Sequence, residues 1–146
     1  MGERAELIDS FRRQVNAVTA KLEKSSLARL KEGARRDFIA RDFMKKFKGV
    51  SPEDLGDAVE DWMMDDSPAP ASVQNALQIM LETGNDHVVD VILDRIGTRM
   101  QSGERKDIWW AENVLEPFEH ALRSKPKIAR RINDLCFDIA EALQST

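Results

Sequence analysis

Apolar side chains recur every three or four residues along almost the whole chain, the period of an α-helix and not the two-residue alternation of a strand. Ile8, Phe11, Val15, Val18 and Leu22 fall at intervals of three, four, three and four, so the spacing predicts one amphipathic helix from Glu3 to about Lys24. Its narrow stripe suits packing on a partner helix within the domain. Ser25 and Ser26 can cap a short helix over Leu27 to Glu32, with Gly33 able to take the left-handed conformation that closes it. Ala34 to Lys48 reads as the next helix, with Phe38, Ile39, Phe43 and Phe47 directed inward and Gly49-Val50 ending it.

Ser51-Pro52-Glu53-Asp54 is a strong helix start: a capping hydroxyl, a proline at the first position, and acids where the positive end of the helix dipole favours them. At about 100° per residue, Leu55, Ala58, Val59 and Trp62 gather on one side and Asp57, Glu60, Asp61 and Met64 on the other. Asp65-Asp66-Ser67-Pro68-Ala69-Pro70 predicts a loop and a candidate hinge, because two prolines so close together stop a helix. From Ala71 a helix with Val73, Leu77, Met80 and Leu81 runs to Thr83, and Gly84-Asn85 closes it. Asp86 caps the next. There Val88, Val89, Ile92, Leu93, Ile96 and Met100 make a face wide enough to predict a central, largely buried helix.

A further helix starting near Glu104 or Arg105 turns Ile108, Ala111, Leu115, Phe118 and Leu122 inward, with Trp110 at the border. Trp109 falls on the polar side with Asn113, Glu116 and His120, an unusual place for a large ring. Pro117 removes a backbone donor and predicts a kink or a break. Ser124 and Pro126 start a last helix bearing Ile128, Ile132, Leu135, Cys136, Ile139 and Leu143, and Lys125, Lys127, Arg130 and Arg131 crowd its first turns against the helix dipole.

Seven to eight helices, short turns and no β-alternating segment predict an all-α fold, a compact multi-helix bundle forming a single domain over residues 1–146. A helical-hairpin, solenoid-like arrangement is the variant that the repeat-like lengths of 52–83 and 86–123 allow. A chain of 146 residues, 42% hydrophobic and 33% charged, fits one globular unit. No apolar run approaches the roughly 18 to 20 residues needed to cross a bilayer, and no signal-peptide or lipidation pattern stands at either end. The expectation is a cytoplasmic protein without a membrane partner. Cys136 lies in an apolar helical pattern and reads as a core thiol.

Charge changes this picture most. From Gly49 to Asp94 there are eleven acidic residues and no Lys or Arg; Met1 to Lys48 carries thirteen basic and seven acidic residues, and Arg95 to Thr146 nine and eight. The net charge of −4 hides that segregation. Seven of the acids lie on or beside the 51–66 helix, and the basic counterpart is the helix with Arg35, Arg36, Arg41, Lys45, Lys46 and Lys48. Pairing between the two segments within the chain is the plain expectation. Nucleic-acid or other anion contact through the basic helix is the alternative, set against an acidic pI of 5.3 and no nucleic-acid motif.

Catalytic chemistry has little support in the residues. His87 and His120 form no zinc or di-iron pattern, no calcium loop occurs, and the glycine-rich phosphate loops and the nucleophile elbow are absent, so no metal or cofactor is expected. His120-Ala121-Leu122-Arg123-Ser124 resembles the His-x-Leu-Lys-Gly segment of histidine phosphotransfer domains, a likeness that implies phosphate acceptance on His120. It departs from that pattern at Ser124, where the family has glycine, and at Pro117 and Pro126, which interrupt the helix on either side. An enzyme would draw first on His120 with Glu116. The favoured expectation is a non-enzymatic interaction module, an adaptor, inhibitor or regulator, that binds a protein partner, a basic one among the candidates, or a second copy of itself. Asp57, Glu60, Asp61, Met64 and Trp109 are the candidate contacts.

Overall fold

The computed structural model describes residues 2–22, 26–119 and 124–145. Among them the chain is all helical: α1 (Gly2–Lys21), a 3-10 turn at Leu27–Arg29, α2 (Gly33–Lys45), α3 (Pro52–Asp66), α4 (Pro70–Glu82), α5 (Asp86–Met100), α6 (Arg105–Leu115) running into a 3-10 turn at Glu116–Phe118, and α7 (Pro126–Ser145). The all-α class read from the periodicity is the class the chain adopts. It divides into two compact units, Met1–Ile92 and Leu93–Thr146, and the division falls within α5.

Most boundaries follow local chemistry. The Ser51 hydroxyl accepts the Asp54 N–H at 3.1 Å and caps α3, with Pro52 in its first turn. Gly49 and Gly84, both at positive φ, end the helices before them. Pro117 stops α6 at Leu115, as its missing donor requires. Some boundaries differ from expectation: Asp65 and Asp66, read as loop, end α3, and α2 stops at Lys45, short of Lys48. The segment after Ser26 makes only a single 3-10 turn, and Gly33 opens α2 instead of closing a helix.

In the first unit α1 packs on α3 and α4, and α2 packs on α4. Phe11 is the hub of the aromatic core: Phe43 meets it edge-on at 5.7 Å between centroids, Trp62 at 5.3 Å, and Phe47 tilted at 5.9 Å. Each such buried side chain contributes roughly 1.5 to 3 kcal/mol. The unit is centred on α4, in which Ser72 to Leu77 and Ile79 to Leu81 are buried. The polar Ser72, Gln74 and Asn75 are inside together with the apolar residues. Asn75 explains how a polar residue can be. Its Oδ1 accepts the Leu27 N–H at 2.7 Å and its Nδ2 donates to Thr19 Oγ1 at 2.9 Å, so α4 holds both the 3-10 turn and the end of α1.

In the second unit α6 packs on α7, burying Ile108, Trp110, Ala111, Val114 and Leu115 on one helix and Ile128, Ile132 and Ile139 on the other. Asp107 fastens the turn between α5 and α6. The Ser102 hydroxyl donates to it at 2.6 Å and Arg99 Nε at 3.0 Å, while the Arg99 guanidinium lies 4.0 Å from the Trp110 ring centre. Those two donors, Ser102 first, hold the Asp107 carboxyl below its ordinary value. Of the cations at the start of α7, Arg131 forms an ion pair with Asp94. Cys136 is half-buried, and burial, followed by the charge and hydrogen bond of Glu119, pushes its thiol up to about 11. It is therefore protonated and a poor nucleophile near neutral pH.

Candidate functional site

The acidic helix α3 buries Leu55, Gly56, Ala58, Val59, Trp62 and Met63 and turns its carboxylates outward, as the wheel predicts. What meets those carboxylates is α1. Arg4 pairs with Asp61 at 2.7 Å, and Arg12 grips Asp66 with Nε and Nη2 at 2.6 and 2.9 Å while also reaching Asp9. Hydrogen bonding to the carboxylate, ahead of its charge, raises both guanidinium groups above their ordinary value. The pairing between basic and acidic segments therefore exists; on α3 it is made by the first helix, and the Arg35 to Lys48 stretch contributes Arg36, which pairs with Glu82 of α4. A sequence signal was present: Arg4 and Arg12 stand four residues either side of the apolar Ile8, at the border of the packing stripe of α1.

Further along α3 the acids are open. Asp54 and Asp57 line a cleft of about 520 Å³ together with Glu3, Glu6 and Arg4 from the first turns of α1. Leu7, Gly49 and Val50 complete its wall. Among the described residues no ion pair engages Glu3, Glu6, Asp54 or Asp57; the one cation in the lining, Arg4, is bonded to Asp61, and its charge also acts on Asp57 and Glu60. Glu60 is half-buried, and Met64 is 55% exposed on the same helix. Gly56 lets α5 approach α3: a Cβ there would lie 3.1 Å from the His87 ring.

The α2 cations divide differently. Arg36 is held inward, donating to the Leu30 carbonyl and pairing with Glu82 of α4 at 3.2 Å. Arg41 pairs along its own helix with Asp37 at 3.0 Å. Arg35, Arg41, Lys45, Lys46 and Lys48 are all exposed. Phe38, expected inside, is 67% exposed among them, because the core side of α2 is filled by Ile39, Ala40 and Phe43. Phe38 lines a second, smaller depression of about 120 Å³ between α1 and α2.

In the second unit Trp109 is 47% exposed, on the polar side of α6 as its register predicts. Phe137 of α7, which the apolar stripe of that helix passes by, is 64% exposed. His120 lies outside the described residues, so the likeness to histidine phosphotransfer domains and the pairing with Glu116 have no geometry to rest on. Among the described residues no group of three or more His, Cys, Asp or Glu could hold a metal ion. None of the described helices is long and apolar enough to cross a membrane.

Comparison with protein-family models, curated proteins and solved structures yields no match.

Proposed function

We propose that this chain is a non-catalytic protein-interaction domain in which the acidic cleft between the starts of α1 and α3 receives a cationic segment of a partner protein. The observation that carries the reading is the division of the acids: Asp61 and Asp66 are neutralised by α1, while Glu3, Glu6, Asp54 and Asp57 converge on one cleft without an ion pair among the described residues. Carboxylates gathered in a concavity concentrate a negative potential that steers and holds a basic ligand. Leu7 and Val50 offer apolar surface to the methylene stem of a Lys or Arg while its head meets the acids. Met64, exposed about two turns further along the same helix, lies outside the lining of the cleft. An adaptor, inhibitor or regulator of a basic partner is the role this implies, with affinity that falls as salt rises.

The test is a nitrogen-15 NMR titration with a lysine- and arginine-rich peptide at about 20 mM and about 150 mM salt. The expected result is amide shifts confined to residues 3–7, 49–50 and 54–57, shrinking at the higher salt. Shifts spread evenly over every exposed acid, including Asp65 and Asp90, would refute a cleft.

A further inference from the structure

The smaller depression belongs to a different surface. Helices α1 and α2 both rest on α4, and where they face one another Gln14, Ala17, Val18 and Lys21 of α1 stand across from Phe38, Ile39, Asp42, Phe43 and Lys46 of α2. On α1 these positions are spaced by three, one and three, a single helical stripe. Val18 continues the apolar series of Phe11 and Val15, yet it is only half-buried, and Ala17 is exposed. The seam between two helices laid on a third has thus kept an apolar floor open to solvent, with the 67% exposed Phe38 at its edge.

At about 120 Å³ the depression is far below the roughly 300 Å³ where small-molecule sites begin, and it fits one or two anchoring side chains. Its surroundings are basic. Lys21 and Lys46 stand in the lining, and Arg13, Arg35 and Lys45, all exposed, occupy the adjoining turns, against Asp42 in the lining and, in the adjoining turn, Asp37, which pairs with Arg41. Cations around an apolar floor are complementary to an amphipathic segment that alternates carboxylates with a large apolar residue.

We propose that the α1–α2 groove docks an acidic amphipathic helix, which lays a Leu or Phe anchor on Val18, Ile39 and Phe38 and sets its Asp or Glu side chains against Lys21 and Lys46. Such a helix would lie over the seam as a fourth element beside α1, α2 and α4, the helix-in-groove mode of recognition. A single-stranded nucleic acid, which the exposed Phe38 ring and the surrounding cations could also meet, is the competing occupant that an oligothymidylate probe separates from the helix. The acidic cleft and this groove present opposite charge, so the two surfaces select different partners.

The experiment uses the full chain and three fluorescent probes in anisotropy titrations: an amphipathic helical peptide of about 18 residues with Leu and Glu, the same peptide with Lys for Glu, and an oligothymidylate. The acidic peptide should bind, Phe38→Ala should weaken it several-fold, and the double variant K21E/K46E should weaken it by ~10-fold or more with circular dichroism unchanged. A milder variant, K21Q/K46Q, covers the case in which reversal disturbs the fold, and should weaken binding in the same direction. Equal binding of the acidic and basic peptides, or affinity for the acidic peptide unmoved by both lysine variants, would overturn the proposal. Preferential binding of the oligothymidylate, lost on Phe38→Ala, would overturn it in favour of a nucleic-acid surface.

Discussion

The two helices with the most one-sided charge, α2 and α3, are treated in opposite ways by the fold. The acidic α3 packs against α1, which brings Arg4 and Arg12 to Asp61 and Asp66, so two of its seven acids are answered within the chain. The basic α2 packs against α4, which offers only Glu82, so Arg36 is answered and its exposed cations are left at the surface beside Phe38. Charge segregation along a sequence therefore does not say which segments meet. Packing of the apolar stripes decides the neighbours, and exposed ion pairs, each contributing about 0 to 1 kcal/mol, follow from that choice.

Both faces depend on one core, and the sharpest way to break the comparison is to remove it. Trp62→Ala deletes the ring that meets Phe11 and should cost about 3 to 5 kcal/mol in chemical denaturation, abolishing binding at either surface together. Asn75→Ala should cost about 1 to 3 kcal/mol, because the Leu27 N–H loses its buried acceptor and Thr19 its partner. It acts on the α1–α2 side by loosening both segments from α4. Gly56→Ala crowds His87 at 3.1 Å and Val91 at 3.3 Å. Alone it should be neutral to mildly destabilising, whereas in a His87→Ala background the helix-propensity gain of up to about 1 kcal/mol should emerge as stabilisation in thermal melts.

The smallest effect concerns pH and a region apart from both faces. The Asp107 carboxyl is depressed in the folded state, so its contribution to stability is fully present above the unfolded value of about 3.9 and is lost as pH falls through the folded value. Asp107→Asn should lower stability at neutral pH and flatten the acid limb of a stability-against-pH curve below about pH 4. An unchanged acid limb would mean that the Ser102 and Arg99 bonds do not hold the charged form.

The helices were legible because their apolar period, prolines and capping residues are local signals; Ser51-Pro52 and Pro117 behave as their chemistry dictates. The centre of the first unit was not: the wide apolar face of residues 86–100 drew the expectation of a central helix, whereas the burial of the polar Ser72, Gln74 and Asn75 in α4 depends on neighbours that no local pattern names. Phe38 failed in the other direction: one aromatic in a helix with Ile39, Phe43 and Phe47 sits about 100° from the next position, and composition cannot tell which residue is left outside. The acidic face of α3 was read correctly as a face, but its partition into occupied and open carboxylates required knowing that α1, and not α2, lies against it. The open groove was hidden for the same reason, because it belongs to no single helix.

The most direct measurement is a crossed pair of neutral substitutions on α3, each assayed for unfolding stability and for affinity toward the lysine- and arginine-rich peptide. Asp66→Asn, which removes the acceptor of Arg12, should lower stability and leave the affinity unchanged; Asp57→Asn, which removes an open carboxylate of the cleft, should lower the affinity and leave stability unchanged. Equal loss of affinity from both variants, or loss from Asp66→Asn alone, would contradict the division of the acidic helix into carboxylates held by α1 and carboxylates open to a ligand.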